Sequence, residues 1–232
     1  YPNALIRGEI SLYGMDLTTD MEEIDLSGIK MDSTEEIEAA VKLMPNLKKV
    51  IMSDCGFSNE EMDALNKRHE DVLFVWTVHF SIYSLRTDTV GFCASDVPEL
   101  GYIAPKLSNK DLEPLKYCTE LIALDLGHMR YTDLSFLENM HKLEYLILVD
   151  AMYSDISVLS RMKNLKYLEI FKNTAHKYLI LIGALKMHFP RLTHNGITFI
   201  PKVCEVIKTA FYGKVSLLLP NIKRIFRKGY CL

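Results

Sequence analysis

Acidic residues and histidines are the side chains in this chain whose types could support acid–base chemistry. Asp125 and Glu169 fall on one face of a predicted sheet with His128 near Asp125 in sequence, and such a set can exchange protons with a substrate. However, the chain contains no H-E-x-x-H, G-x-S-x-G or G-x-x-x-x-G-K-[ST] motif, which are the patterns of zinc proteases, serine esterases and nucleotide-binding loops. Outward polar residues on a sheet are mostly solvated. We therefore predict a protein without catalytic residues.

Cysteines and histidines are also the residues that would bind a metal. The five cysteines (Cys55, Cys93, Cys118, Cys204 and Cys231) form no C-x-x-C pair, and the seven histidines are scattered. Zinc sites need closely spaced pairs of these ligands. We predict no metal site and no cofactor. Cys55 and Cys118 fall on inward positions of the pattern described below, where a free thiol behaves as a small apolar group.

Charge is distributed unevenly along the chain. Residues 171–232 hold one of the 30 acidic residues but 11 of the 27 lysines and arginines. This split is typical of a basic interaction arm, or of a terminal segment held against an acidic body. The segment 201–232 could bind nucleic acid or an anionic membrane. We do not favour nucleic acid as the partner, because the acidic body would repel phosphate.

Repetition is the dominant feature of the sequence. The phrases DLEPLKYCTELIALDLGHMRYT, DLSFLENMHKLEYLILVDAMYS and DISVLSRMKNLKYLEIFKN align with a 22-residue period. Leucines share columns such as Leu124, Leu146 and Leu168, and a fixed period of this length indicates stacked repeats. The aspartates Asp111, Asp133 and Asp155 open each return segment, where we expect them to cap a helical turn.

Longer units precede these repeats. Met21, Leu47 and Val72 begin phrases spaced by 25 or 26 residues, in which we align Ile24, Val50 and Val75. Ser33 with Glu36, and Ser58 with Glu61, have the spacing of a helical capping box. Apolar residues then recur at i, i+3 and i+4, which predicts a helix with one buried face. Each unit therefore reads as a strand, a turn and a helix.

These patterns resemble leucine-rich repeats. The 22-residue units are similar to those of bacterial internalins, and the longer units to the helix-bearing repeats of ribonuclease inhibitor. The resemblance implies an α/β leucine-rich-repeat solenoid, with a curved parallel sheet on the concave face and helices and 3₁₀ turns on the convex face. That family places asparagine at one column, which reads Cys55, Met129, Ala151 and Asn173 here. We therefore expect a weak asparagine ladder and a stack held mainly by buried leucine.

We divide the chain into five segments of one continuous domain. They are an N-terminal cap (1–20), long repeats (21–78), an insertion (79–110), three 22-residue repeats (111–173), and a degenerate repeat with a basic C-terminal cap (174–232). Alternation along the insertion predicts a hairpin strand near its start. No apolar run reaches the roughly 18 to 20 residues that span a bilayer, so we predict no transmembrane segment. The chain begins at Tyr1 and not at Met, as a processed product would, so we do not take the absence of a signal peptide to exclude export.

The residues that point outward between the buried leucines are the candidate functional residues. Alternation along a strand selects them, and their apolar and aromatic members indicate a contact surface. The predicted protein-binding residues are Phe74, Trp76, Asp125, Tyr145, Ile147, Val149, Tyr167, Glu169 and Phe171. We predict a non-catalytic protein–protein interaction module, secreted or at a bacterial cell surface, with a cytoplasmic location left open. The alternatives are internal cover of this face, and self-association within a larger protein.

Overall fold

The computed structural model describes residues 8–94, 106–148, 152–153 and 155–169. These residues divide into two compact units, one formed by residues 8–79 and 84–87 and the other by 80–83 and 88–169. The predicted degenerate repeat and basic cap at 174–232 lie outside the described residues. Within the described part of the chain, no helix is long and apolar enough to cross a membrane.

The first unit begins with an antiparallel hairpin and continues with a three-stranded parallel sheet. Its elements are β1 (Glu9–Leu12), β2 (Met15–Thr18), β3 (Glu23–Asp25), α1 (Glu35–Leu43), β4 (Lys49–Ile51), α2 (Asn59–Arg68) and β5 (Leu73–Val75). The sheet has the order β3-β4-β5. Each parallel connection contains a helix, which supplies the length of chain that a parallel crossover needs.

The two helices follow the predicted apolar stripes. Ile37 and Ala40 of α1, and Met62 and Leu65 of α2, are buried. Ser58 caps α2 as predicted, since its hydroxyl accepts from Glu61 N while the Glu61 carboxylate accepts from Ser58 N. The predicted Ser33–Glu36 box is wrong, because α1 begins one residue later with Thr34 at its N-cap.

The register of β5 corrects the sequence alignment. Phe74 pairs with Val50, which pairs with Ile24, so Phe74 and not Val75 is the residue aligned with these two. Phe74 is fully buried, and Trp76 is 4% exposed. The Trp76 indole nitrogen also donates to Asn59 Oδ1 at 2.8 Å. The predicted outward exposure of these two aromatic residues is therefore wrong, because this repeat is shorter than the preceding one.

The segment predicted to be an insertion contains regular structure. The strands β6 (Thr77–Phe80) and β7 (Tyr83–Arg86) form a two-stranded sheet, which agrees with the hairpin expected there. The next strand, β8 (Gly91–Cys93), pairs in parallel with the following repeat. Residues 79–110 are thus not wholly inserted between repeats, since they supply the first strand of the second sheet.

The second unit is built on a four-stranded parallel sheet with the order β8-β9-β10-β11. Its further elements are α3 (Asn109–Leu112), a 3₁₀ helix (Glu113–Tyr117), β9 (Ala123–Asp125), a 3₁₀ helix (Ser135–Leu137), β10 (Tyr145–Ile147), a 3₁₀ helix (Ser157–Arg161) and β11 (Tyr167–Glu169). The short returns hold 3₁₀ turns, as their length predicts.

Leucine burial holds the second sheet in register. Leu124 pairs with Leu146, and Leu146 with Leu168, so the repeat column becomes a physical row. None of these side chains is more than 3% exposed. Burying a leucine contributes roughly 1.5 to 3 kcal/mol relative to leaving it in water. Repetition of such rows explains why the repeat length stays constant across these strands.

Two members of the aspartate column accept from the first N–H group of a 3₁₀ helix, as predicted, although the N-cap residues there are Leu134 and Ile156. Asp133 Oδ1 accepts from Ser135 N at 2.9 Å, and Asp155 Oδ1 accepts from Ser157 N at 2.8 Å. Asp111 instead lies inside α3 and accepts from Ser108 N at 2.8 Å. The bonds from Ser108 and Ser157 lower the pKa of the Asp111 and Asp155 carboxyls. All three carboxylates thus have a structural role in helical turns.

A pair of tyrosines makes hydrogen bonds to the residues that directly follow β9 and β10. Tyr131 and Tyr153 are buried, and their rings stack with centroids 5.8 Å apart. The Tyr131 hydroxyl donates to Leu126 O at 3.4 Å, and the Tyr153 hydroxyl to Leu148 O at 3.1 Å. The hydroxyls therefore donate to the carbonyl groups of residues that directly follow β9 and β10, and buried carbonyls generally need such a donor. We call this pair the tyrosine ladder.

Candidate binding face

Two rows of outward residues lie on the second sheet, and the strand register defines them. Ala123, Tyr145 and Tyr167 are paired across β9, β10 and β11 to form the first row. Cys93, Asp125 and Ile147 form the second row, two residues further along each strand, and the backbone of Glu169 is in register with them. Because residues two apart on a strand share a face, both rows belong to one surface, which we call the outward face.

Aromatic and aliphatic groups occupy the middle of the outward face. Tyr145, Ile147 and Tyr167 are half-buried, whereas Ala123 is fully buried. Adjacent strands are separated by roughly 4.8 Å, so the two tyrosines on β10 and β11 are side-by-side neighbours. A tyrosine offers a large apolar ring together with a polar hydroxyl, which suits it to contact surfaces. The arrangement can therefore bury apolar atoms of a partner while hydrogen bonding at its rim.

Asp125 provides the acidic part of this face. Its Oδ1 accepts from the backbone N of Gly127 at 3.0 Å, and the Cys93 thiol lies 3.7 Å from its Oδ2. The bond to Gly127 holds the carboxylate against the turn that follows β9. Asp125 is only half-buried, so the carboxylate sits beside Ile147 at a position that a basic or hydrogen-bonding group of a partner can reach.

His128 has a structural reason for its place next to Asp125. Its φ is 62°, in the left-handed region, and Gly28 and Asp54 adopt φ of 80° and 58° at the same point of the turn after their strands. Non-glycine residues take this conformation infrequently, and asparagine, aspartate and histidine are the side chains that tolerate it best. The turn geometry therefore accounts for a histidine here without any role in catalysis.

The structure brings together only part of the predicted site. Asp125, Tyr145, Ile147 and Tyr167 share the outward face, and the backbone of Glu169 lies in its last strand. Phe74 and Trp76 are in the first unit and are buried there. Val149 and Phe171 lie outside the described residues.

Cys93 is a member of the outward face that sequence reasoning missed. It was hidden because Phe92 and Ala94 replace the leucines that mark the other strands, although both are buried like them. The regular repeat spacing also fails at this strand, since Phe92 precedes Leu124 by more than one repeat length. The signal available in the sequence was only the short alternation of Phe92 and Ala94.

One serine, histidine and aspartate set occurs in the first unit. Ser84 Oγ lies 2.8 Å from His79 Nδ1, and Asp54 Oδ1 lies 3.7 Å from His79 Nε2. The His79 and Asp54 side chains are 61% and 69% exposed. Water screens interactions between exposed groups strongly. We regard the set as a chain of hydrogen bonds on the surface.

Metal binding finds no support in the described part of the chain. No group of histidine, cysteine or carboxylate side chains there could hold a metal ion.

Neither a protein-family model nor a curated protein matches the chain. Among solved structures, internalin inlF of Listeria monocytogenes is 17% identical with a TM-score of 0.35, and 72% of this chain covers 40% of its length. Internalin C2 of the same organism is 17% identical with a TM-score of 0.28, over 65% of this chain and 62% of that one. TLR13 in complex with ssRNA13 is 13% identical with a TM-score of 0.27, over 66% and 19%.

The class of protein follows from the geometry of the chain itself. Parallel strands of three residues pair in register. The central residue of each strand is a buried leucine or another buried apolar residue in its place. In the described residues, a helix or a 3₁₀ turn lies in each connection between neighbouring parallel strands. This is an α/β leucine-rich-repeat fold, as the sequence predicted. The chain spans about 40% of the length of the first of the two internalins and 62% of the second.

Proposed function

We propose that this chain is a non-catalytic module that binds a partner protein through the outward face of the second sheet. The observation that carries the proposal is the pairing of Tyr145 with Tyr167 on adjacent strands, beside Ile147 and Asp125. Tyrosines of this kind are enriched among the residues that contribute most to protein–protein affinity. Val149, Glu169 and Phe171 extend the proposed surface on the basis of the sequence.

Further details of the class and location belong to the same proposal. The second unit has the 3₁₀ returns that internalin-like 22-residue repeats would need, and the first has helices of nine and ten residues, as ribonuclease-inhibitor-like repeats would. We propose these two repeat classes for the two units. Secretion or attachment to a bacterial cell surface suits a protein-binding role, and the internalins similar in structure come from a bacterium.

The proposal is tested by removing the two tyrosines together. Partners are first recovered by pull-down from the native environment, identified by mass spectrometry and then purified. Affinity is measured by titration for the wild type and for a Tyr145→Ala, Tyr167→Ala double variant. Each tyrosine at a contact centre contributes about 1 to 2 kcal/mol, so we expect the Kd to rise by roughly 30-fold or more.

The control variant is Tyr13→Ala, which removes a half-buried tyrosine from the first unit. It should bind each partner as the wild type does, and far-UV circular dichroism should show all variants folded. An unchanged Kd for the double variant with every recovered partner would contradict the proposal.

Two other functions are alternatives that other measurements distinguish. Self-association through the same face predicts a sedimentation coefficient that rises with concentration and falls back in the double variant. Anion binding through residues 201–232 predicts retention on heparin that weakens steeply with salt, because released counterions drive such binding. Deleting that segment would then abolish retention while leaving the tyrosine-dependent affinity unchanged.

A further inference from the structure

β5 is the last strand of the first sheet, and its outer edge is the side away from β4. In a parallel sheet, successive residues direct their N–H and C=O groups to opposite neighbours. Leu73 N donates to Lys48 O at 2.8 Å, and Met52 N donates to Val75 O at 2.7 Å. Leu73 and Val75 therefore face β4, so the backbone groups of Phe74 and Trp76 point to the side where the next strand of a sheet would lie.

The side chain of Asn66 occupies that position at Phe74. Phe74 N donates to Asn66 Oδ1 at 2.7 Å, and Asn66 Nδ2 donates to Phe74 O at 2.9 Å. A carboxamide has the same donor and acceptor groups as a peptide bond. Asn66, which lies on α2, therefore reproduces the two hydrogen bonds that an adjacent strand would make with this residue.

Thr87 makes a similar pair of hydrogen bonds to the backbone of Trp76, the next residue whose N–H and C=O groups point to this edge. Thr87 N donates to Trp76 O at 2.9 Å, and Trp76 N donates to Thr87 Oγ1 at 3.2 Å. Thr87 is one of the few buried polar residues of the described chain, at 4% exposure. The backbone groups of Phe74 and Trp76 that point to this edge are thus hydrogen bonded by residues that do not belong to a repeat strand.

We propose that Asn66, together with Thr87, closes the β5 edge of the first sheet against strand addition by a second copy of this chain. An exposed strand edge is a template for pairing with another chain. Two copies of the same edge strand can pair antiparallel about a two-fold axis, which is the simplest closed assembly. The closed edge also ends the first sheet at β5, so the next repeat strand, β8, belongs to a separate sheet.

Amide hydrogen exchange of Phe74 tests the role of Asn66 at the level of one bond. In Asn66→Ala the Phe74 amide loses its acceptor, and we expect its exchange to accelerate by about tenfold, the equivalent of one net hydrogen bond. The Leu73 amide, which donates toward β4, should be unaffected. Asn66→Asp keeps an acceptor for Phe74 N, so this variant should protect the amide nearly as well as the wild type.

The adjacent Lys67→Ala variant is the control for changes in α2 itself and should leave Phe74 exchange unchanged. Equal exchange of the Phe74 amide in wild type and Asn66→Ala would overturn the proposal. The proposal would also fail if Asn66→Asp exchanged as fast as Asn66→Ala, because a general loosening of the helix would then be the cause.

Sedimentation velocity tests the closure against a second copy. The Asn66→Ala, Thr87→Val double variant removes both side-chain bonds to Phe74 and the acceptor of Trp76 N, while Thr87 N still donates to Trp76 O. Its sedimentation coefficient should rise with concentration beyond that of the wild type. If the double variant exchanges rapidly at Phe74 yet sediments like the wild type at every concentration, the edge does not need closing and the proposal is wrong. Neither measurement involves Tyr145 or Tyr167, so its result is independent of the proposed binding function.

Discussion

The carboxylate of Glu38 connects the two helices of the first unit, and its removal should weaken that unit in a pH-dependent manner. Arg68 Nη2 lies 2.7 Å from Glu38 Oε1, and His69 Nε2 lies 3.1 Å from Glu38 Oε2. The Thr34 hydroxyl donates to Oε1 at 2.6 Å. The hydrogen bond from Arg68, followed by that from Thr34, lowers the pKa of Glu38 from 4.5 to about 2.

The contribution of the Glu38 carboxylate to the free energy of unfolding follows from that change in pKa. A change in pKa from 4.5 to about 2 is equivalent to roughly 3 kcal/mol at about 1.4 kcal/mol per pH unit. The Arg68 side chain is 49% exposed, and water screens such a pair, so we reduce the figure to about 1 to 2 kcal/mol. Because the pKa is depressed in the folded state, this contribution is complete above pH 4.5 and is lost as the pH falls through about 2.

The assay is urea unfolding of the wild type and Glu38→Gln at pH 7 and pH 2.5, followed by circular dichroism. We expect the variant to be about 1 to 2 kcal/mol less stable at pH 7, with most of that difference lost at pH 2.5. Hydrogen bonds also lower the pKa values of Asp25, Glu61, Asp111 and Asp155. Subtracting the variant from the wild type removes their contribution, because these sites are independent of Glu38.

Glu35→Gln is the matched control, since it neutralises an exposed carboxylate of the same helix. It should change stability little at either pH. A difference between wild type and Glu38→Gln that is the same at pH 7 and pH 2.5 would refute the reasoning, because the side chain would then act by its shape and not by its charge.

Two further predictions concern the second unit. Tyr153→Phe removes the hydroxyl that donates to Leu148 O inside the tyrosine ladder, so it should lower the free energy of unfolding by about 1 kcal/mol in a urea titration. A loss near zero would show that the carbonyl finds another donor. Burial raises the pKa of the Cys118 thiol to about 12, so iodoacetamide at pH 8 should not modify Cys118 in the folded protein but should modify it in urea. Rapid labelling without urea would contradict the burial of this residue.

The second unit is the part of the fold that the sequence predicts best. The three 22-residue repeats of this unit carry each apolar column in every copy, so the pairing of Leu124, Leu146 and Leu168 follows directly from their constant length. The outward alternation then places Tyr145 and Tyr167 correctly. Redundancy between copies is what makes both inferences secure.

The first unit shows where such reasoning fails. Leu73, Phe74, Val75 and Trp76 are four consecutive apolar residues, and alternation cannot tell which pair of them faces inward. A shift of one residue reverses the face of every side chain. The side-chain bond between Asn66 and the Phe74 backbone, which fixes the edge of this strand, has no periodic signal at all.

The tyrosine ladder was missed for another reason. Tyr131 and Tyr153 are one repeat length apart, but they lie two positions beyond the column that the resembling family fills with asparagine. The carbonyl groups they satisfy are invisible in a sequence. A hydrogen bond from a tyrosine hydroxyl to a backbone carbonyl five residues earlier therefore leaves no periodic signal in the sequence.

Trp76, the single tryptophan of the chain, has a practical consequence. Its ring is buried in the first unit, and its indole N–H is bonded to Asn59, whereas the second unit carries the stacked tyrosines. Tryptophan emission therefore reports the melting of one unit, while far-UV ellipticity averages over both. Superimposable transitions from the two signals would identify one cooperative folding block, and separated transitions would show that each repeat array is stable without the other.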